Sequence, residues 1–112
     1  MSKDQQSILD IIDSIQLIFN YTENINWDDV DIQTQDAIIR RFTVIGEATK
    51  RLSVECRDRY PDIPWKKMAG LRDIVVHNYD DVDLDIIRDV IEIELPGLLA
   101  SLQTVISGLN DR

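Results

Sequence analysis

A chain of 112 residues has the length of one domain, and 44% hydrophobic with 29% charged residues is a globular composition. The single cysteine, Cys56, cannot form an intramolecular disulfide, so nothing favours an oxidising compartment. No apolar run approaches the roughly 18 residues that span a bilayer, and the N-terminus lacks the basic-then-apolar order of a signal peptide. We therefore expect one domain over residues 1–112, located in the cytoplasm and not in a membrane.

Charge is unevenly distributed along the chain. The total of −9 by itself argues against nucleic acid, because proteins bind phosphates through Lys and Arg. From Arg40 to Arg72, however, nine basic and four acidic residues give +5, and the rest of the chain carries −14. The candidates for RNA contact in this basic segment are Arg40, Arg41, Lys50, Arg51, Lys66 and Lys67. A basic helix face that meets only solvent is the alternative interpretation.

Apolar spacing predicts four helical segments. In the first, six residues follow a 3.6-residue period: Ile8, Ile11, Ile12, Ile15, Ile18 and Phe19. A polar connection follows, and the second helix is predicted from Ile32 to Arg59, because Pro61 cannot continue the hydrogen-bond ladder. Its buried stripe would contain Ile38, Phe42, Ile45, Thr49, Leu52 and Cys56. Three charged residues would lie elsewhere on its circumference: Arg40, Glu47 and Arg51.

The third helix is predicted from Pro64, whose fixed φ suits a first helical position, to about His77. Asp83 is then expected to cap the last helix, and Pro96 to bend it. The apolar residues of that helix are Leu84, Ile87, Val90, Ile91, Leu95, Leu98 and Leu102. These segments predict an all-α fold, an up-and-down bundle of four to five helices.

The last helix has a wider apolar face than a single core needs. At 100° per residue, seven apolar residues between Ile86 and Leu98 span about 200°, whereas a surface helix usually needs little more than about 100°. The second helix is similarly broad, and Gly46 and Ala48 in its middle would let another helix approach closely. One unusually buried helix would also explain this pattern. We expect a second buried face, and hence a dimer.

The single histidine, His77, lies in the last turn of the third predicted helix. Asp73, four residues earlier on the same face, could accept a hydrogen bond from one ring nitrogen and fix the tautomer. Arg72 supplies a permanent charge whose planar shape matches a phosphate. A histidine base and an arginine are what RNA cleavage needs without a metal or cofactor, since the base takes the 2′-OH proton and the cation stabilises the phosphorane. A histidine with only a structural role is the alternative.

The run of Arg72, four residues, His77, one residue and Tyr79 resembles the signature of HEPN ribonuclease domains of the HepT-like toxin group. Other parts of the chain resemble that group too. These parts are Ile45-Gly46-Glu47-Ala48 with Lys50-Arg51-Leu52, Pro61-Asp62-Ile63-Pro64-Trp65 with Met68, Gly70 and Leu71, and the closing segment from Asp83 to Leu99 with Leu95-Pro96. The resemblance extends over most of the chain and implies a single HEPN-like helical domain.

The resemblance implies roles for individual residues. Arg72 and His77 would form the catalytic pair, with Asp73 assisting. Tyr79 matches the tyrosine that, in such toxins, a partner minimal nucleotidyltransferase modifies with AMP to silence them. Members of the group dimerise through their helices and bring two copies of the motif to one composite cleft. The expected partners are therefore an RNA substrate, a nucleotidyltransferase antitoxin, and a second copy of the chain, as a homodimer or a higher oligomer of dimers.

The function expected from this resemblance is a metal-independent endoribonuclease, the toxin of a type VII-like toxin–antitoxin system, silenced by AMP on Tyr79. A non-catalytic helical binding subunit of a nucleotidyltransferase complex is one alternative, in which the same residues contact nucleotide or partner. A helical adaptor, in which Arg72 and His77 only stabilise the bundle, is the other. RNA cleavage that is lost in a folded His77→Ala variant distinguishes the first function from both.

Overall fold

The chain folds as a bundle of helices, without a strand among the residues that the structure describes. The computed structural model describes residues 2–76 and 83–110, with the backbone alone for Val75 and Val76. The helices are α1 Lys3–Thr22, α2 Ile32–Lys50, α3 Val54–Arg59, α4 Trp65–Ala69, α5 Leu71–Val76, α6 Leu84–Asp89 and α7 Leu95–Asn110. A π-helical turn, Val90–Glu94, joins α6 to α7. The predicted all-α fold is confirmed.

Helix α1 contributes the central apolar stripe of the bundle. It begins with a capping box, in which Ser2 Oγ accepts from the Gln5 N–H (3.1 Å) and Gln5 Oε1 accepts from the Ser2 N–H (2.8 Å). The predicted stripe is buried at Ile8, Ile11, Ile12, Ile15 and Ile18, and half-buried at Phe19. One side of α1 packs against α2 and another against α7, so α1 connects the second helix with the C-terminal helix.

Helix α2 begins after Asp31, whose Oδ1 accepts from the Thr34 N–H at 2.7 Å. Hydrogen bonds from the Thr34 side chain and backbone hold the pKa of Asp31 below its ordinary value, because both favour the ionised carboxylate. The predicted stripe of α2 faces the core: Ile38, Phe42, Ile45 and Thr49 are each at most 1% exposed.

The predicted end of the second helix, Arg59, was wrong: α2 stops at Lys50, and α3 starts at Val54. Ser53 between them has an extended backbone (φ −66°, ψ 155°), and its Oγ accepts from the Cys56 N–H at 3.1 Å. Asp4 of α1 accepts both from the Ser53 N–H (2.9 Å) and from its hydroxyl (2.6 Å). The Ser53 N–H therefore bonds to another helix instead of continuing α2.

The third predicted helix is also divided, into α4 and α5, at Gly70. Pro64 is the residue before α4 and not its first helical residue. The Gly70 N–H closes α4 on the Lys66 carbonyl (3.1 Å), and the Gly70 carbonyl accepts from both Asp73 and Ile74 N–H groups (3.0 and 3.2 Å). A glycine favours an interruption of the helix at this position, since it has no Cβ and a high entropic cost of ordering. The separate helix α5 therefore begins immediately before Arg72.

The C-terminal helix is continuous from Leu84 to Asn110. Asp83 caps it as predicted, since its Oδ1 accepts from the Asp85 and Ile86 N–H groups (3.0 and 3.3 Å). The π-helical turn ends at Glu94, two residues before Pro96, which has no N–H to donate to a carbonyl one turn earlier. The proline is therefore accommodated without ending the helix.

By length and composition alone, Leu84–Asn110 is apolar enough to cross a membrane, with a mean hydropathy of 1.3 in its most apolar window. Core helices of soluble proteins pass the same test. The uninterrupted apolar runs of the sequence are short, as predicted, because Ser, Gln and Thr break them in this helix without adding charge. A location in the cytoplasm stays a prediction. Between residues 87 and 95 of this helix, four apolar residues are buried in the core of the bundle: Ile87, Val90, Ile91 and Leu95.

Candidate functional site

Arg72 lies in the first turn of α5, directly against α2. The contact is at Gly46: a Cβ on this glycine would be 2.9 Å from Arg72 Cβ, and 3.1 Å from both Arg72 N and the Ala69 carbonyl oxygen. Such distances leave no room for any side chain larger than hydrogen. The backbone of Arg72 is therefore set by its contact with one residue of α2.

The guanidinium of Arg72 pairs with Glu47, the residue that follows Gly46. Arg72 Nε lies 3.8 Å from Glu47 Oε1, and the two side chains are 43% and 46% exposed. At this distance the contact is an ion pair and not a hydrogen bond. Arg72 thus keeps an accessible cation at the surface, while both its backbone and its charge contact the same turn of α2.

Sequence reasoning did not assign Glu47 to the site. It placed the residue on the outer circumference of the second helix, and did not connect it with Arg72. The available signal was the segment Ile45-Gly46-Glu47-Ala48 itself, in which an acidic residue directly follows the glycine expected to permit a close helix contact. Without the partner helix, however, that segment does not reveal which residue Glu47 faces.

Of the other residues proposed for the site, Asp73 belongs to the part of the chain that the structure describes. Asp73 is exposed, and its N–H donates to the Gly70 carbonyl at 3.0 Å. His77 and Tyr79 lie outside the described residues, so the hydrogen bond expected between Asp73 and His77 stays a prediction. The structure therefore describes the arginine and the assisting aspartate of the predicted site.

The six predicted RNA-contacting residues differ in what they contact. Three already have partners: Arg51 pairs with Asp10 (3.5 Å), Lys67 with Glu94 (3.2 Å), and Arg41 Nη1 donates to Ser14 Oγ (3.5 Å). The remaining three are exposed and form no ion pair within residues 2–76 and 83–110: Arg40, Lys50 and Lys66. Lys50 and Lys66 lie on α2 and α4, two elements that pack together. RNA contact by these residues stays a prediction.

The small residues predicted to admit another helix are covered by this chain itself. Gly46 and Ala48 are buried, and the element that approaches Gly46 is the junction of α4 and α5. They therefore give no support to a dimer. The C-terminal helix does leave apolar surface uncovered, since Ile86 is 43% exposed and Ile93 is 73% exposed.

Comparison with known proteins places the chain in a family. The sequence model of the family described as "Ribonuclease HepT-like" matches residues 11–105. The chain is 36% identical to "Probable ribonuclease HepT" of Thermococcus cleftensis, over 80% of this chain and 83% of the relative. It is 34% identical to a "Putative RNase" of Methanocaldococcus jannaschii, over 96% of this chain and 91% of that relative. No solved structure matches the chain with statistical significance.

Another relative is a longer protein whose name gives two activities. The chain is 39% identical to a "Gamma-glutamylcyclotransferase and putative RNase" of M. jannaschii, over 98% of this chain but only 51% of that protein. The chain thus spans about half the length of this relative.

The fold and the comparisons agree: an all-α bundle with an accessible arginine beside α2 fits a HEPN-type ribonuclease domain. The chain belongs to the HepT-like ribonuclease family, whose activity class is ribonuclease and whose substrate is RNA.

Proposed function

We propose that this protein is a metal-independent endoribonuclease that acts as the toxin of a type VII-like toxin–antitoxin system and is silenced by AMP on Tyr79. The observation that carries the proposal is Arg72: its side chain is 43% exposed, and Gly46 places its backbone against α2. The guanidinium is a planar cation whose shape matches a phosphate, and it extends from a backbone that is packed against α2.

In the proposed reaction, His77 and Arg72 have separate roles. The His77 imidazole accepts the proton of the RNA 2′-OH, and the 2′-oxygen forms a bond to the adjacent phosphorus. The bond from phosphorus to the 5′-oxygen breaks, and that oxygen takes a proton from solvent. Arg72 stabilises the negative charge that grows on the phosphorane oxygens. Asp73 holds the imidazole in the productive tautomer. The base and the cation together supply what a metal ion would otherwise provide.

Two copies of the chain would build a composite cleft in this proposal. The uncovered apolar residues of the C-terminal helix, Ile86 and Ile93, support a second buried face. In the proposed dimer, the Arg72 of each copy faces the same RNA, which doubles the arginine charge in the cleft. RNA binding would then depend on the cleft and less on the net charge of −9.

The test is cleavage of labelled RNA by the purified protein in excess EDTA. We expect full activity there, and a loss of at least about 100-fold in His77→Ala and in Arg72→Ala, because each variant removes a transition-state interaction. Arg59→Ala is the matched control, since Arg59 is an exposed arginine on α3. Circular dichroism must show that the variants remain helical. Activity that returns only with Mg²⁺ or Mn²⁺ would exclude this mechanism.

The toxin role has its own test. Expression of the protein should arrest growth, and co-expression of the minimal nucleotidyltransferase that the proposal requires should relieve the arrest. His77→Ala should not arrest growth. A wild-type protein that binds the nucleotidyltransferase but cleaves no RNA would favour the non-catalytic binding subunit instead.

A further inference from the structure

Two consecutive residues of α2 contact Arg72 in different ways. Gly46 leaves only enough space for the backbone and Cβ of Arg72, at 3.1 and 2.9 Å from the position of a Cβ. Glu47 brings its carboxylate to 3.8 Å from the Nε of the same arginine. Gly46 contacts the backbone end of the Arg72 side chain and Glu47 contacts its guanidinium end. Both residues lie in the same turn of α2. The ion pair is therefore made between two side chains whose backbones are packed directly against each other.

We propose that Glu47 is a positioning residue for Arg72, a role that rests on the proposed RNA cleavage. The ion pair is made through Nε, and a guanidinium has five N–H donors in a planar fork. Four N–H groups on the two Nη atoms therefore remain for the phosphate of the substrate. With Gly46 restricting the backbone, the Glu47 carboxylate selects one direction for the charged group.

The charge of Glu47 has a second consequence, which opposes the first. A carboxylate beside Arg72 also lies near the phosphate that Arg72 binds, and two negative charges repel. Glu47 therefore weakens the binding of RNA while it orients the group that stabilises the transition state. Removing the charge should lower KM and kcat together, a combination that simple unfolding or loss of a binding residue does not produce.

The principal variant is Glu47→Gln, which keeps the size of the side chain and removes its charge. We expect kcat to fall about tenfold, since small misplacements of a catalytic group can cost up to about 100-fold. We expect KM to fall by about two- to threefold, because repulsion between half-exposed charges is moderated by water. Glu47→Asp, which restores the charge on a shorter side chain, should recover part of kcat. Asp36→Asn is the matched control, an exposed carboxylate to amide change on the same helix, and should leave both constants unchanged.

A double-mutant cycle identifies the residue through which Glu47 acts. In an Arg72→Lys background, the effect of Glu47→Gln on kcat should largely disappear, because the group that it orients has been replaced. If the tenfold loss persists unchanged in that background, Glu47 does not act through Arg72. A Glu47→Gln enzyme with wild-type kcat and KM would also overturn the proposal, while leaving RNA cleavage intact.

A measurement that needs no catalysis separates the positioning role of Glu47 from the proposed RNA cleavage. The ¹H–¹⁵N heteronuclear NOE of the Arg72 Nε–H reports how well the guanidinium is ordered, and it should fall in Glu47→Gln but not in Asp36→Asn. An NOE that stays at the wild-type value overturns the positioning role, whether or not the protein cleaves RNA. If the NOE falls in Glu47→Gln but the wild-type protein cleaves no RNA, the contact between Glu47 and Arg72 is retained and the proposed function is excluded.

Discussion

Gly46 and Arg72 are 26 positions apart in sequence and are in contact through their backbones: a Cβ on Gly46 would lie 2.9 Å from Arg72 Cβ and 3.1 Å from Arg72 N. The atoms that surround Gly46 are backbone atoms and a Cβ, so none of them can rotate away. The contact makes this one glycine a requirement of the α2–α5 packing. It also makes the arginine sensitive to a change in another helix.

Gly46→Ala should therefore destabilise the protein and reduce its activity. Overpacking costs about 1–3 kcal/mol, which outweighs the gain of about 1 kcal/mol in helix propensity. Urea unfolding measures the first effect and RNA cleavage the second. The matched control is Gly97→Ala, because a Cβ at Gly97 would have no atom within 4 Å, and this variant should be neutral or slightly stabilising. Equal stabilities for the two variants would contradict the close contact at Gly46.

Asp4→Ala should loosen the connection between α1 and α3. The variant removes the acceptor of both the Ser53 N–H and the Ser53 hydroxyl, and an unsatisfied half-buried donor costs about 1–3 kcal/mol. We expect a loss near the lower end of that range in urea unfolding, since water reaches part of the site. Asp13→Ala, an exposed aspartate on the same helix, should change stability by less than about 0.5 kcal/mol. If both variants unfold at the same urea concentration, the Asp4–Ser53 contact does not stabilise the fold.

Asp31 should contribute to the acid sensitivity of the protein. Its folded-state pKa is lowered by hydrogen bonds from Thr34, so its stabilising effect is present above its unfolded pKa and is lost as the pH falls through the folded pKa. Asp31→Asn retains a helix cap without a titrating group. Between about pH 5 and pH 3, the range in which carboxylates titrate, the urea concentration at the unfolding midpoint should fall less for this variant than for the wild type. An Asp31→Asn curve parallel to that of the wild type would exclude this contribution.

A homodimer should form through the uncovered face of the C-terminal helix. Light scattering at micromolar concentration should give about twice the chain mass of 12.9 kDa. Ile93→Glu should convert the dimer to a monomer and reduce RNA cleavage, because the charge would be buried in the interface. Ile32→Glu is a closely matched control, since Ile32 and Ile93 are both 73% exposed. A monomeric wild type with full nuclease activity would remove the composite cleft.

Tyr79 should be the site at which the partner enzyme silences this protein. AMP on its phenol would place a phosphate anion near Arg72, in competition with the RNA phosphate. Co-expression with the minimal nucleotidyltransferase that the proposal requires, followed by peptide mapping, should show AMP on Tyr79 and a loss of nuclease activity. Tyr79→Phe should remain an active nuclease that the partner no longer silences. Tyr21→Phe, at a tyrosine that is 37% exposed, should still be silenced. If the nucleotidyltransferase still silences Tyr79→Phe through its catalytic activity, the modification that regulates the nuclease lies at another residue.

Local sequence patterns predicted much of the fold because their causes are local. The isoleucine stripe of α1 needed only the 3.6-residue period, and five of its six predicted residues are buried. The cap at Asp83 needed only the side-chain acceptor of that residue and the N–H groups that follow it. The resemblance at Arg72, His77 and Tyr79 likewise predicted the ribonuclease family from short sequence spacings.

The errors and omissions concern contacts between residues far apart in sequence. The second helix stops early because Ser53 bonds to Asp4, 49 positions away, and no periodicity within that helix reports the bond. Gly46 was correctly expected to admit a close neighbour, but only the folded chain showed that the neighbour is Arg72 and not a second copy. The sequence by itself determined which faces are apolar, where helices can begin, and which family the motif belongs to. The tertiary structure decided that Glu47 faces Arg72, because the side-chain environment of an exposed helix residue depends on the helix packed beside it.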